Sequence, residues 1–209
     1  MCTSYGVDPD RLPDMRGLPP MDERDSAALH DWAAEHERGS KITGRIARNL
    51  NPVITADGKS SRMTLGWWSI WRDGTGPFGR FGFNSRDDSL MRYWRREFQH
   101  RALIPASWYE EGKKRWELPS GDGFLIAAVT STVIEEATGE ERLTYSMVTR
   151  RGIGEASTVV SSRGESRMPL VLPTDLHTDW LDPKLPGDAE LVAHVQHASE
   201  EISRALTVV

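Results

Sequence analysis

A cysteine stands directly behind the initiator methionine, in the start Met1-Cys2-Thr3-Ser4. A small second residue lets an aminopeptidase remove Met1, which leaves an α-amine and a thiol on one carbon frame. An α-amine titrates at about 7.7–8.0, against about 10.4 for lysine, so near neutrality an appreciable fraction is unprotonated and nucleophilic. Such an amine attacks an aldehyde to form a Schiff base. The thiol of the same residue can then add to the imine carbon and close a thiazolidine ring, which hydrolyses far more slowly than an open imine. Proximity favours the closure. The same pair could instead serve an N-terminal-nucleophile hydrolase, with the Cys2 thiolate attacking an amide and the α-amine as base. Small residues at position 2 are common, so other groups have to support either chemistry.

Three later segments offer such groups. In FGFNSRDDS, Asn84 is followed by Arg86 and Asp88 at alternate positions. An asparagine there can donate to and accept from a sugar hydroxyl or a terminal amine, or it can act as an ordinary helix N-cap. In IPASWYEEGKK, Glu110 ends an apolar and aromatic run. A carboxylate desolvated by such a run suits proton relay during imine formation, although Glu111 beside it is equally available. In SSRGESRMPLVLP, Arg163 and Arg167 flank Glu165 and would suit a phosphate clamp, or else internal ion pairs. Four of the six histidines, at 30, 36, 194 and 197, fall at helical spacings without cysteines, so no metal site is expected.

These residues need elements to carry them. An apolar fraction of 38%, eight tryptophans and a length of 209 residues fit one folded domain with a continuous core. The single cysteine excludes an internal disulfide framework and suggests a reducing compartment. No signal-peptide pattern or long apolar run is visible, so a soluble cytoplasmic protein is expected. A net charge of −5 argues against bulk polyanion binding but leaves room for a local basic cleft, since arginines cluster at 92, 95, 96 and 101, at 150 and 151, and at 163 and 167.

Residues 8–20, with four prolines, read as an irregular arm. Leu29, Trp32, Ala33 and His36 predict an amphipathic helix stopped by Gly39. Met63 to Ile70 reads as a strand and DGTGPFGRFG as a loop. A second helix is expected from Ser85, with Leu90, Tyr93, Trp94 and Phe98 on one face and the arginines opposite. RALIPASWYE, a turn at Gly112-Lys113-Lys114 and RWELP suggest a hairpin. FLIAAVTSTVI and RLTYSMVT are two further strands, and short helices follow around Thr174 to Trp180 and Asp188 to Ser199. The whole predicts one α+β domain, 1–209, with a mainly antiparallel sheet.

Cys2 after the start, N-x-R-x-[DE] at Asn84, Arg86 and Asp88, I-P-A-S-x-[FY]-E at Ile104 to Glu110, and R-M-P-L-V-L at Arg167 to Leu172 occur in one order. In this the chain resembles the SRAP family, the SOS-response-associated peptidase or abasic-site-processing proteins. The resemblance implies a β-barrel-like core with peripheral helices and a positively charged cleft for single-stranded DNA. It implies that Cys2 crosslinks abasic sites, that Asn84 positions Cys2 and the opened sugar, and that Glu110 transfers protons. It further implies phosphate contacts by Arg86 and Arg167 and base contacts by Trp67 and Trp68, for which core packing is the competing assignment. The expected partner is single-stranded DNA carrying abasic sites, bound by a monomer without cofactor, metal or membrane.

Two departures from the family pattern stand out. The usual arginine at the fourth position is Ser4, and the place of the catalytic histidine, two residues before Arg167, is taken by Glu165. Imidazole both gives and takes protons near neutrality, so strand scission or crosslink reversal is expected to be slow or lost, with His100 or His177 the only candidates to compensate. A non-catalytic module that binds single strands, its active site decayed, is the third reading.

Overall fold

The computed structural model describes residues 2–11, 23–43, 46–56, 60–79, 82–160 and 164–209. In chain order the first half contains β1 (Ser4–Gly6), α1 (Glu23–Glu35), β2 (Gly39–Thr43), β3 (Ile46–Ala47), β4 (Leu50–Ala56), β5 (Ser61–Trp68), β6 (Asn84–Arg86) and α2 (Leu90–Tyr93). The strands β7 (Arg101–Ala106), β8 (Trp108–Glu111), β9 (Lys114–Glu117), β10 (Phe124–Ile134) and β11 (Glu141–Arg151) come next. Then follow β12 (Arg167–Pro169), β13 (Val171–Leu172), α3 (His177–Leu181), α4 (Ala189–Ala198), α5 (Glu200–Ala205) and β14 (Thr207–Val208).

The longest strands, β10 and β11, are rich in β-branched residues and pair as an antiparallel hairpin. β10 also pairs with β7, β7 with β4, β4 with β5, and β5 with β11, so five strands close a barrel. Closure removes their free edges. The pairing is mainly antiparallel, as expected, but β11 meets both β5 and β6 in parallel. A second sheet, in the order β14-β9-β8-β1-β2-β3, lies beside it.

Strand alternation sorts the barrel side chains into two cores. Val53, Trp68, Ile104, Ile126, Tyr145 and Met147 point to the side shared with the second sheet. Ile54, Leu103, Leu125, Ala127 and Val129 point the other way and are covered by Trp180, Val192 and Val195 of the C-terminal helices. The expected strands in this region are thus found, and both faces of β10 are buried over its first half, which is why its sequence is an apolar run without alternation.

Three local expectations are revised. The first helix ends at Glu35, and Glu37 and Arg38, both at positive φ, turn the chain ahead of Gly39. The helix expected from Ser85 shrinks to the four residues of α2 between 3-10 turns at Asp87–Ser89 and Glu97–Gln99. The reason is that Asn84, Ser85 and Arg86 pair with Met147, Val148 and Thr149, so their backbone is committed to the sheet. Leu90, Trp94 and Phe98 still face the core, whereas Tyr93 turns outward. The strand expected over RALIPASWYE breaks at Ser107, which donates its N–H to Gly6 and hands the chain from barrel to second sheet. Most of the arm at 8–20 lies outside the described residues; its start, Pro9–Arg11, is a 3-10 turn.

Candidate active site

β1 brings the N-terminus into the middle of the second sheet, paired with β2 on one side and β8 on the other. Cys2, just ahead of it, is fully buried in the core that contains Tyr109, Trp116, Met147 and Met168. Asn84 opens β6 and donates from Nδ2 to the Cys2 carbonyl at 2.7 Å, while its Oδ1 is buried without a hydrogen-bond partner. The Cys2 thiol donates to the carboxylate of Glu111. Burial first, and then the negative charge of Glu111, push the thiol well above its ordinary range, so Cys2 is an un-ionised thiol at neutral pH.

An arginine-lined cleft adjoins this cluster. It measures about 780 Å³ and is bordered by Arg86, Arg151, Arg167 and Arg204, with Asp88 and Glu165 as the acidic members. Asn84 and Arg86, two apart on β6, share one face of the strand, with Arg86 in the cleft lining and Asn84 buried. Arg167 is itself buried, held by Asp87 at 3.0 Å and by the carbonyl of Thr149, and its charge reaches Cys2. Arg86 is half exposed and joins Asp88 at 2.7 Å and Glu165 at 2.8 Å.

The family model described as SOS response associated peptidase (SRAP) matches residues 27–209. The chain belongs to the SRAP family. The match begins after Cys2 and does not include it. Three solved structures share the SRAP chain's fold. One is a Bordetella bronchiseptica protein at 18% identity and TM-score 0.69, covering 100% of this chain and 99% of its own. A Bacteroides thetaiotaomicron protein matches at 17% and 0.62, covering 93% and 86%. A phage-related protein of Bordetella bronchiseptica matches at 15% and 0.58, covering 100% and 92%. No curated protein matches.

In this SRAP chain the sequence-based assignments divide. Cys2 and Asn84 meet, and Arg86, Glu165 and Arg167 line the adjoining cleft. Arg163 lies outside the described residues. Glu110 is exposed: on β8, Tyr109 and Glu111 face inward and Glu110 outward, so the carboxylate beside Cys2 is Glu111. Trp68 is fully buried, donates Nε1–H to Phe83 and stacks on Tyr145, so it is a core residue and presents no face to a base. Trp67 is half-buried with Arg142 over its ring and packs on the same core.

Neither histidine replaces the missing one. His177 is buried in the helical layer and bonded to Leu172, and His100 lines a groove with Thr55, Arg62 and Thr130 that shares no residue with the arginine cleft. Of the remaining arginines, Arg101 donates to the carbonyls of Trp180, Asp182 and Leu185, and Arg150 to Gln196 and Ser199, so both are structural. Sequence reading missed Arg204 as a cleft residue, and no local motif marks it. It also left Arg151 undistinguished from Arg150, although strand alternation would have separated them. Among the described residues no cluster of His, Cys, Asp and Glu could hold a metal ion, and no helix is long and apolar enough to cross a membrane.

Proposed function

We propose that this SRAP protein acts in DNA damage by covalently capturing abasic sites in single-stranded DNA through Cys2. The observation that carries the reading is the meeting of Cys2, Asn84 and Glu111, with Arg167 of the arginine-lined cleft near enough for its charge to act on Cys2. Removal of Met1 frees the α-amine, which attacks C1′ of the ring-opened sugar. Asn84, already bonded to Cys2 through one end of its amide, has its other end free to accept from the amine or a sugar hydroxyl. Glu111 relays two protons in turn from nitrogen to the oxygen, which departs as water, and then carries the thiol proton to the imine nitrogen as sulfur adds to the imine carbon. The sum is aldehyde plus aminothiol giving thiazolidine plus water. Arg86, Arg151, Arg167 and Arg204 supply the positive field for flanking phosphates. Glu165, paired with Arg86, is a poor substitute for an imidazole, so strand scission is expected to be slow.

The test is incubation with a single-stranded oligonucleotide bearing one abasic site. Native protein whose mass confirms loss of Met1 should give an adduct stable to heat and detergent. Cys2→Ala should give none, and Cys2→Ser, which keeps the amine, should give an adduct only when borohydride reduces the imine. Absence of adduct from the native protein sinks the reading. A hydrolase reading requires a ready thiolate, and a thiol pushed upward by burial and by Glu111 disfavours it. Turnover of amide or thioester substrates would restore that alternative.

A further inference from the structure

Tyr109 points into the same cluster and has no place in the chemistry above. It sits on β8 two residues before Glu111, on the same inward face, and is fully buried. Its ring is stacked nearly parallel on Trp116, 6.1 Å between centroids, so the direction of its C–O bond is set by packing. The hydroxyl at the end of that bond is buried and has no hydrogen-bond partner. A buried hydroxyl left unmatched costs stability, and phenylalanine would fill the same ring space without that cost. The hydroxyl is also held in its protonated form: burial first, and then negative charge arising at Cys2 or Glu111 on ionisation, push it far above the ordinary tyrosine range.

Resting on the capture reaction proposed for Cys2, we infer that the Tyr109 hydroxyl is a catalytic hydrogen-bond donor to the oxygen of the captured aldehyde. As the Cys2 amine forms its bond to carbon, the carbonyl pair moves onto that oxygen. Tyr109 stabilises the developing charge with its O–H and keeps its own proton throughout. Glu111 then delivers the proton that lets the oxygen leave as water. Stabilisation of this kind acts where charge develops, and removing one such donor commonly slows a reaction by a hundredfold or more. The idle donor at the site is thereby explained, because its acceptor arrives with the substrate.

Tyr109→Phe tests the inference. Crosslinking is followed by single-turnover kinetics at saturating abasic DNA, together with thermal melting, affinity for undamaged single-stranded DNA and alkylation of Cys2. The expected result is a crosslinking rate at least about tenfold lower, with melting temperature equal or higher and with affinity and alkylation unchanged. A rate within twofold of native, or a slower rate accompanied by lower melting temperature or altered Cys2 alkylation, overturns the assignment while leaving Cys2 capture intact. If native protein forms no adduct at all, both the capture reading and the role of Tyr109 fall.

Discussion

At the scale of single residues, the site depends on which side of a strand each carboxylate faces. Glu110 and Glu111 are neighbours of the same type, yet only the second meets the Cys2 thiol. Glu111→Gln should slow adduct formation by about a hundredfold, the lower end of what a positioned proton relay contributes. Glu110→Gln should leave the rate within about twofold on the same gel-based time course. A reversed order would mean that the strand lies in the opposite register in the working protein, because a slip of one residue exchanges its faces. Ser4, in place of the family arginine, is buried in β1, so this site draws its positive charge from elsewhere.

At the scale of elements, the C-terminal helices act as a fixed lid on the outer barrel wall. α3 is tied down from both sides, since Trp180 donates to Ala102 at 2.9 Å and Arg101 donates back to Trp180 at 2.6 Å. His177 at its start donates from Nε2 to Leu172, while its Nδ1 is buried without a partner. Protonation would place a second N–H where nothing accepts it, and burial accordingly lowers its pKa below the usual 6.5. The folded state therefore resists a proton that the unfolded chain accepts. Above pH 6.5 the contribution to stability is fully present, and it is lost as pH falls through 6.5 toward the lower folded value. Urea midpoints measured at pH 7.5 and 5.5 should show a smaller acid-side drop for His177→Gln than for the native protein. An equal drop would place the acid sensitivity in other groups.

At the scale of the molecule, a chain of net charge −5 must bind a polyanion through a local field. The cleft holds four arginines, with Arg86 paired to Asp88 and Glu165, Arg167 to Asp87 and Arg204 to Glu200, so phosphates bind there by exchanging with carboxylates. With about two phosphates neutralised on a single strand, affinity for undamaged DNA should fall roughly 25-fold for each tenfold rise in salt. Arg86→Ala should flatten that slope by about 0.7 of a log unit per log unit of salt, read by fluorescence anisotropy across a salt series. Its effect on melting should be small, because exposed ion pairs contribute about 0–1 kcal/mol. A native affinity insensitive to salt would remove the cleft from the binding surface.

Much of this was legible from local pattern, for physical reasons. Cys2 could be singled out because its chemistry follows from position in the chain alone, and the long strands because β-branched runs report burial directly. Asn84, Arg86 and Arg167 stood out as a family pattern, without any local sign that they would converge. What tertiary structure decided was direction and pairing. Parallel pairing with β11 made Asn84–Arg86 a strand instead of the start of a helix, and the break at Ser107 carried Tyr109 and Glu111 to Cys2. Barrel closure buried Trp68 and left Trp67 at its margin. Residue type and spacing state what a side chain can do, but the face it presents depends on hydrogen bonds formed with strands distant in sequence.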